Sequence, residues 1–393
     1  MKEYKKIVNG RIITPYRMIE RGELLIHNGI IEAISEMPIS APEAEELDAG
    51  GNYIAPGFID IHIHGGGDAD FMDGTTADFL QVAAAHSKHG TTAMLPTILT
   101  STREEIIRAL KVYDAVSSTA AATRFLGVHI EGPYFSMEQR GAQDPRYIRD
   151  PDPAEYQAIL NSSSAIKRWS IAPEKPGALL FGRILRERGI LPSIAHTDAI
   201  YEEVAQAFEQ GYSLVTHLYS AMSGVTRRNA YRYGGVVESA FLIDEMDVEI
   251  IADGKHLPVE LLKLVYKIKG PEHIALITDA MRAATMPEGK SILGSRRDGM
   301  EVIVEDGVAK LPDRSAFAGS TATADRLVRT MVQQADVPLL DAVRMMTATP
   351  ARMMGVGDRL GSLQEGKAAD IVIFDEQIRI QKTLVGGRVV YER

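Results

Sequence analysis

Between Pro56 and about Ala280 the chain repeats one device eight times: a short apolar, β-branched run followed by a spacer long enough for a helix. The runs are "GFIDIHIH", "TTAMLPTI", "FLGVHIEG", "KRWSIAPE", "LPSIAHT", "SLVTHLYS", "DVEIIADG" and "HIALITDA". Near-continuous apolar strands alternating with amphipathic spacers such as "TADFLQVAAAHSKHG" read as parallel βα units. Eight in succession predict an α/β fold, a closed (β/α)8 TIM-like barrel whose chemistry lies at the C-terminal ends of its strands. Polar residues gather at those ends: His62, His64, Glu131, Glu174, His196, His217, Asp253 and Asp279.

The flanks follow another pattern. Residues 1–55 and 358–393 contain short strands broken by turn residues such as His27-Asn28-Gly29 and Gly386-Gly387, which predicts a small β-sandwich domain formed from both termini. The catalytic barrel is then expected over residues 56–357. "SILGSRRDGMEVIVEDGVAKLPD" reads as a β-hairpin excursion, ahead of a last helix beginning near "GSTATADRLVRTMVQQA".

Composition narrows the chemistry. The chain has no cysteine, so disulfides, thiolate catalysis and zinc-thiolate sites are excluded and any metal must be held by nitrogen and oxygen. A formal net charge of -10 argues against partners recognised by excess basic charge, so neither nucleic acid nor membrane is expected. With no apolar run of about 18 residues and no apolar stretch at the start, cytoplasmic residence is the expectation.

Strict alternation along "GFIDIHIHGGG" puts Ile59, Ile61 and Ile63 on one face and Asp60, His62 and His64 on the other. Both imidazoles then stand at the strand's end, able to share a ligand. With Glu131, His196, His217 and Asp279 they make six candidate ligands from five strands, a donor set suited to zinc, iron or manganese. Six ligands suffice for two ions bridged by Glu131, and the expected cofactor is a divalent metal, zinc first, at one or two ions per subunit. Other histidines have blander readings. His86 and His89 fit a solvated helix end, His273 precedes its strand, and His129 is divided between substrate contact and a structural role. Glu174 reads as a structural ion-pair partner and His256 as a substrate contact.

The motifs "PGFIDIHIHG", "HIEGPYFS" with "RGAQ", "AHTDA", "THLYSAMS", "IIADGKH", "ITDAM" and "AGSTAT" resemble, in order and spacing, the amidohydrolase superfamily and within it the N-acetylglucosamine-6-phosphate deacetylases. No strand-four lysine of the kind carboxylated in dihydroorotases is apparent; Glu131 takes the bridging place. The resemblance implies hydrolysis of the acetamido group of an amino-sugar phosphate to the free amine and acetate. Asp279 would act as general base and then acid, beside an ion that makes hydroxide available near neutral pH, while that ion or His129 would stabilise the oxyanion. It also implies a sugar-phosphate pocket formed by backbone amides near Ala142 and at Ser220 and Ala221, with His256 bonding the sugar. Arg227, Arg228, Arg232 and, further off, Arg282 could meet a phosphate, though Arg227 and Arg228 read better as a solvated surface loop. Arg232 stands where the family places a phosphate-binding arginine, in some members supplied by a neighbouring subunit, which implies a homodimer. The chain departs from the family at Ser220, where many members carry Asn, and in the loop around Arg232. The alternatives are an amidohydrolase acting on N-acetylgalactosamine 6-phosphate, an unphosphorylated sugar or a cyclic amide, and a non-catalytic sugar-phosphate binding protein.

Overall fold

The structure is a computed structural model that describes residues 4–119 and 121–393. All eight apolar runs form strands of one barrel: Phe58–Ile63, Thr91–Ile98, Val128–Glu131, Ile166–Ile171, Leu191–Ile194, Leu214–Val215, Asp247–Ile250 and Ile274–Leu276, here strands one to eight. Each pairs in parallel with the next, from strand one through strand eight. The seam between strands eight and one closes just beyond the last ladder. There the Asp279 amide donates to the His62 carbonyl at 2.9 Å and the His64 amide to the Ala280 carbonyl at 2.8 Å, while the Thr278 hydroxyl donates to Asp60 at 2.5 Å.

The helices between strands start where their sequences supply caps. Thr75 and Asp78 form a capping box ahead of Thr76–Ser87, Thr102 caps Arg103–Val116, and Asp152 caps Pro153–Ser162 with proline in the first turn. Their apolar faces pack on the barrel's outside in one large core that includes Phe79, Ile106, Leu110, Trp169 and Phe181. Inside the barrel, Ile59, Ile61, Ala93, Leu95, Ala275 and Ile277 form a separate cluster, which Ala351, Val356 and Leu360 from the last helix and the turn after it complete.

That inner cluster corrects the simple alternation of strand one. Ile59 and Ile61 lie in it, whereas Ile63 packs with the helices. The register slips between Asp60 and Ile63, where three steps on strand one face two on strand two. A bulge of this kind adds one residue and re-aims the side chains beyond it. Apolar Ile59 and Ile61 therefore fill the barrel, and after the slip His62 and His64 still reach the mouth.

The terminal segments join in one mixed eight-stranded sheet. Its strands include Tyr4–Ile13, Met18–His27 and Tyr53–Pro56 from the N-terminal side and Ile371–Phe374, Ile380–Val385 and Arg388–Glu392 from the C-terminal side. It carries its own core around Ile7, Ile12, Leu24, Ile54, Ile371 and Leu384. The expected hairpin excursion is a three-stranded antiparallel sheet, Gly289–Leu293, Met300–Glu305 and Val308–Lys310. The helix Ala324–Gln333 is followed by two short ones, Leu339–Met345 and Ala348–Met353, so it is not the last. Among the described residues no helix is long and apolar enough to cross a membrane.

Candidate metal centre

All six candidate ligands converge at the C-terminal mouth of the barrel. Glu131, at the end of strand three, is their hub. One of its oxygens, Oε1, lies 3.1 Å from His217 Nε2, 3.3 Å from His196 Nε2 and 3.5 Å from His62 Nε2. The other, Oε2, lies 3.4 Å from His64 Nε2. Asp279 Oδ1 stands 3.0 Å from His64 Nε2 and 3.4 Å from His62 Nε2. Two triads able to hold an ion share the hub: His62, His64 and Glu131, and Glu131, His196 and His217, all buried.

The backbone is bent to make this arrangement. His196, His217 and Asp279 have φ of 48°, 30° and 48°, left-handed values that a residue with a Cβ rarely adopts. Each stands just past the end of its strand, where the chain turns out of the barrel wall. Such strain persists only where surrounding structure fixes it and concentrates at functional sites.

Charge and burial are in tension here. Burial pushes the Glu131 carboxyl up, but the surrounding imidazoles outweigh it and hold Glu131 well below the usual carboxylate range. Burial drives the His62 imidazole down, yet Glu131 and Asp279 overcome it and raise it to about 10. Burial likewise raises Asp279, and His62 and His64 bring it below its ordinary value. Two carboxylates packed into a dry site demand positive charge, and His62 Nε2, though buried, makes no hydrogen bond. The donor set and that unspent nitrogen fit a divalent ion.

Above the triads opens a cleft of about 420 Å³, lined among others by His64, Glu131, His196, His217 and Asp279. Ala142, Ser220, Ala221 and His256 line it as well. His256 is held by Asp253, with Nδ1 2.9 Å from Oδ2, and its ring lies 4.6 Å from that of Phe317. The Ser220 amide is donated to the His217 carbonyl at 2.9 Å.

Other expectations fall outside the cleft. His129 is buried beneath the triads, its Nε2 2.7 Å from Ser170 Oγ and its Nδ1 3.2 Å from Thr97 Oγ1. Burial and the nearby Arg168 charge keep it well below the ordinary imidazole range, and it does not line the cleft. Arg282 is 2% exposed and spends its guanidinium on Asp73, at 2.7 Å to each carboxylate oxygen, and on the carbonyls of Asp68 and Gly294. It does not line the cleft. Arg227, Arg228 and Arg232 stand exposed on a hairpin, Thr226–Arg228 with Tyr231–Tyr233, and no lysine or arginine lines the cleft among the described residues. His86 is not solvated: it is buried, its Nε2 3.0 Å from the Gly65 carbonyl, under the glycine turn after strand one. His89 pairs with Asp325 at 3.1 Å, and Glu174 accepts from the Thr197 hydroxyl and the Asp198 amide rather than from a cation.

Sequence reasoning passed over several neighbours of the site. Gln143 donates to Glu131 Oε2 at 2.7 Å, and its only sequence mark was adjacency to Ala142 in "RGAQ". Tyr219, Leu293 and Phe317 add apolar wall; the last two come from the excursion after strand eight and the loop behind it. Glu249 and Arg168, buried inside the barrel, carried no motif at all.

Comparison with known proteins agrees with this geometry. The amidohydrolase family model matches residues 53–390. The N-acetylglucosamine-6-phosphate deacetylase of Lysinibacillus sphaericus is 35% identical over 374 residues, 94% of this chain and 93% of that one. The N-acetylgalactosamine-6-phosphate deacetylase of Escherichia coli O157:H7 is 33% identical over 382 residues, 96% of this chain and 97% of that one. Among solved structures, an N-acetyl-D-glucosamine-6-phosphate deacetylase mutant from Mycobacterium smegmatis, in complex with N-acetyl-D-glucosamine-6-phosphate, superposes with a TM-score of 0.91 at 29% identity, covering 99% of both chains. The chain belongs to the amidohydrolase family and, within it, to the group of metal-dependent sugar-phosphate deacetylases typified by the N-acetylglucosamine-6-phosphate enzymes.

Proposed function

We propose that this protein hydrolyses the acetamido group of N-acetylglucosamine 6-phosphate, releasing glucosamine 6-phosphate and acetate. The observation that carries the reading is Asp279 Oδ1 set 3.0 Å from His64 Nε2 at the edge of two triads that share Glu131, on the floor of an open cleft. When bound by His62, His64, Glu131, His196 and His217, a divalent ion, zinc first by its donor set, polarises the amide carbonyl and makes hydroxide available near neutral pH. The Asp279 carboxylate takes the proton of the attacking water and returns it to the amide nitrogen, which leaves as an amine. The water oxygen ends in acetate. His256, fixed by Asp253, is placed to bond a sugar hydroxyl, and the Phe317 ring gives the sugar an apolar wall.

The phosphate end is supported by what the cleft lacks. With no lysine or arginine in its lining among the described residues, a dianionic phosphate needs a cation from elsewhere, and the exposed hairpin bearing Arg232 is suited to supply one to a neighbouring subunit of a homodimer. The test is amine release from N-acetylglucosamine 6-phosphate, N-acetylgalactosamine 6-phosphate and unphosphorylated N-acetylglucosamine, with bound metal quantified. Preference for the first is expected. Preference for the second, the reading favoured by the Escherichia coli relative, would keep the mechanism and move the sugar. Silence on all three from metal-loaded protein would sink the deacetylase reading.

A further inference from the structure

Beneath the two triads the barrel interior holds a charged pair that the reaction above does not use. Arg168 on strand four and Glu249 on strand seven are both fully buried. Arg168 Nη1 bonds Glu249 Oε1, and Nη2 donates to Oε2 at 2.9 Å. The guanidinium spends every N–H it has. Its remaining donors reach Ser193 Oγ at 2.9 Å, the Ile61 carbonyl at 3.3 Å and Thr216 Oγ1 at 2.8 Å. One side chain therefore ties strands one, four, five, six and seven together and leaves Glu249 a single fixed orientation.

Glu249 has one further contact, and it is with a candidate ligand. Its Oε2 lies 3.3 Å from His62 Nδ1. A carboxylate locked to a guanidinium can only accept there, so Nδ1 keeps its proton and, with an ion bound, Nε2 is the nitrogen left to hold it beside Glu131. An outer carboxylate of this kind fixes the tautomer and the ring of a ligating histidine. Among the described residues no other candidate ligand has a carboxylate behind it. His196 Nδ1 faces the Gln139 carbonyl at 2.8 Å, and Nδ1 of His64 and of His217 has no hydrogen-bond partner.

The geometry points to Arg168 and Glu249 as a positioning pair for His62, which sets whether an ion occupies the position built from His62, His64 and Glu131 and leaves the position built from Glu131, His196 and His217 unaffected. This inference builds on the metal-centre reading above. It gives the protein a separate control over its second ion, exercised from the barrel interior and outside the reach of substrate.

The test counts ions and measures their stepwise affinities in the full-length protein. Wild type, Glu249→Gln and the double variant Arg168→Met with Glu249→Leu are loaded with zinc and desalted, and ions per subunit are measured by elemental analysis. Stepwise affinities follow from competition with a chelator, and the nitrogen NMR shifts of His62 report its tautomer. Glu249→Gln leaves a buried guanidinium without its counter-charge; the apolar double variant removes both charges and avoids that cost. Two ions are expected in wild type, with His62 protonated on Nδ1. In each folded variant one step should weaken by about 10–100-fold while the other stays within about twofold. A single ion in wild type, His62 protonated on Nε2, wild-type affinities in the variants, or equal weakening of both steps would each overturn the proposal. No ion in any of the proteins would overturn the metal-centre reading itself, and this inference with it.

Discussion

The floor of the cleft and the exposed hairpin outside it are built on opposite plans. The floor is rigid: its six candidate ligands sit at strand ends, Glu131 and His62 are buried to 2% exposure or less, and the far nitrogens of His196 and His62 meet fixed groups, the Gln139 carbonyl and Glu249. The segment bearing Arg232 is a two-stranded hairpin whose Arg227, Arg228, Tyr231 and Arg232 all face solvent. The contrast fits what the proposed reaction asks of each part. Bond cleavage needs groups held to fractions of an ångström before the substrate arrives, whereas gripping a phosphate can be left to long side chains, or to a second subunit.

The hardest blow to the floor is Asp279→Asn. It keeps the shape and one acceptor but removes the proton carrier, so kcat should fall by about 10²–10⁴-fold while sugar-phosphate binding, followed by calorimetry, persists. Bound substrate with undiminished turnover would show that the proton moves elsewhere. Arg282→Met tests whether a buried arginine near the mouth belongs to the scaffold. It takes the bidentate partner from half-buried Asp73, which keeps the amides of Asp70 and Arg296, and should cost about 1.5–3 kcal/mol in urea unfolding with KM unchanged; a raised KM for phosphorylated substrate alone would return Arg282 to the phosphate site.

His86 gives the scaffold a pH signature. Burial lowers its imidazole to about 4, against an ordinary value near 6.5 in the unfolded chain. In the window between them only the unfolded chain takes up the proton, so stability is complete above about pH 6.5 and falls with acidification by about 3 kcal/mol at pH 4. The difference in unfolding free energy between wild type and His86→Leu should trace that curve, and a flat difference would mean that His86 is not neutral in the fold. The smallest effect is expected on the exposed hairpin. Arg232→Ala should raise KM for the 6-phosphate by about tenfold, with kcat and stability nearly untouched. If KM is unchanged and the protein sediments as a monomer, the shared-subunit phosphate site is wrong.

The barrel and the floor of the site could be read early because both obey short-range rules. Strand period and spacer length are local, and a ligand at the end of an apolar run stays at the barrel mouth whatever the loops do. That logic reached His62, His64, Glu131, His196, His217 and Asp279. It stumbled within strand one, where the slip between Asp60 and Ile63 depends on strand two and leaves no mark in "GFIDIHIH". It also misplaced residues whose partners are distant: Arg282 finds Asp73 and His86 finds the Gly65 carbonyl, pairings about 209 and 21 residues apart along the chain. His129 shares the period of Glu131, yet the two face different depths of the same barrel.

What the sequence determined by itself, then, is the succession of eight βα units, the absence of thiol chemistry and the set of nitrogen and oxygen donors at the strand ends, because periodicity and residue chemistry are properties of neighbouring positions. Only the tertiary structure decided which of those donors share Glu131, that the Ser220 amide meets the His217 carbonyl, and that Arg168 and Glu249 stand behind His62. Those facts depend on side chains meeting across a closed barrel, and closure brings strands one, four and seven into contact through an interior that no single stretch of sequence describes.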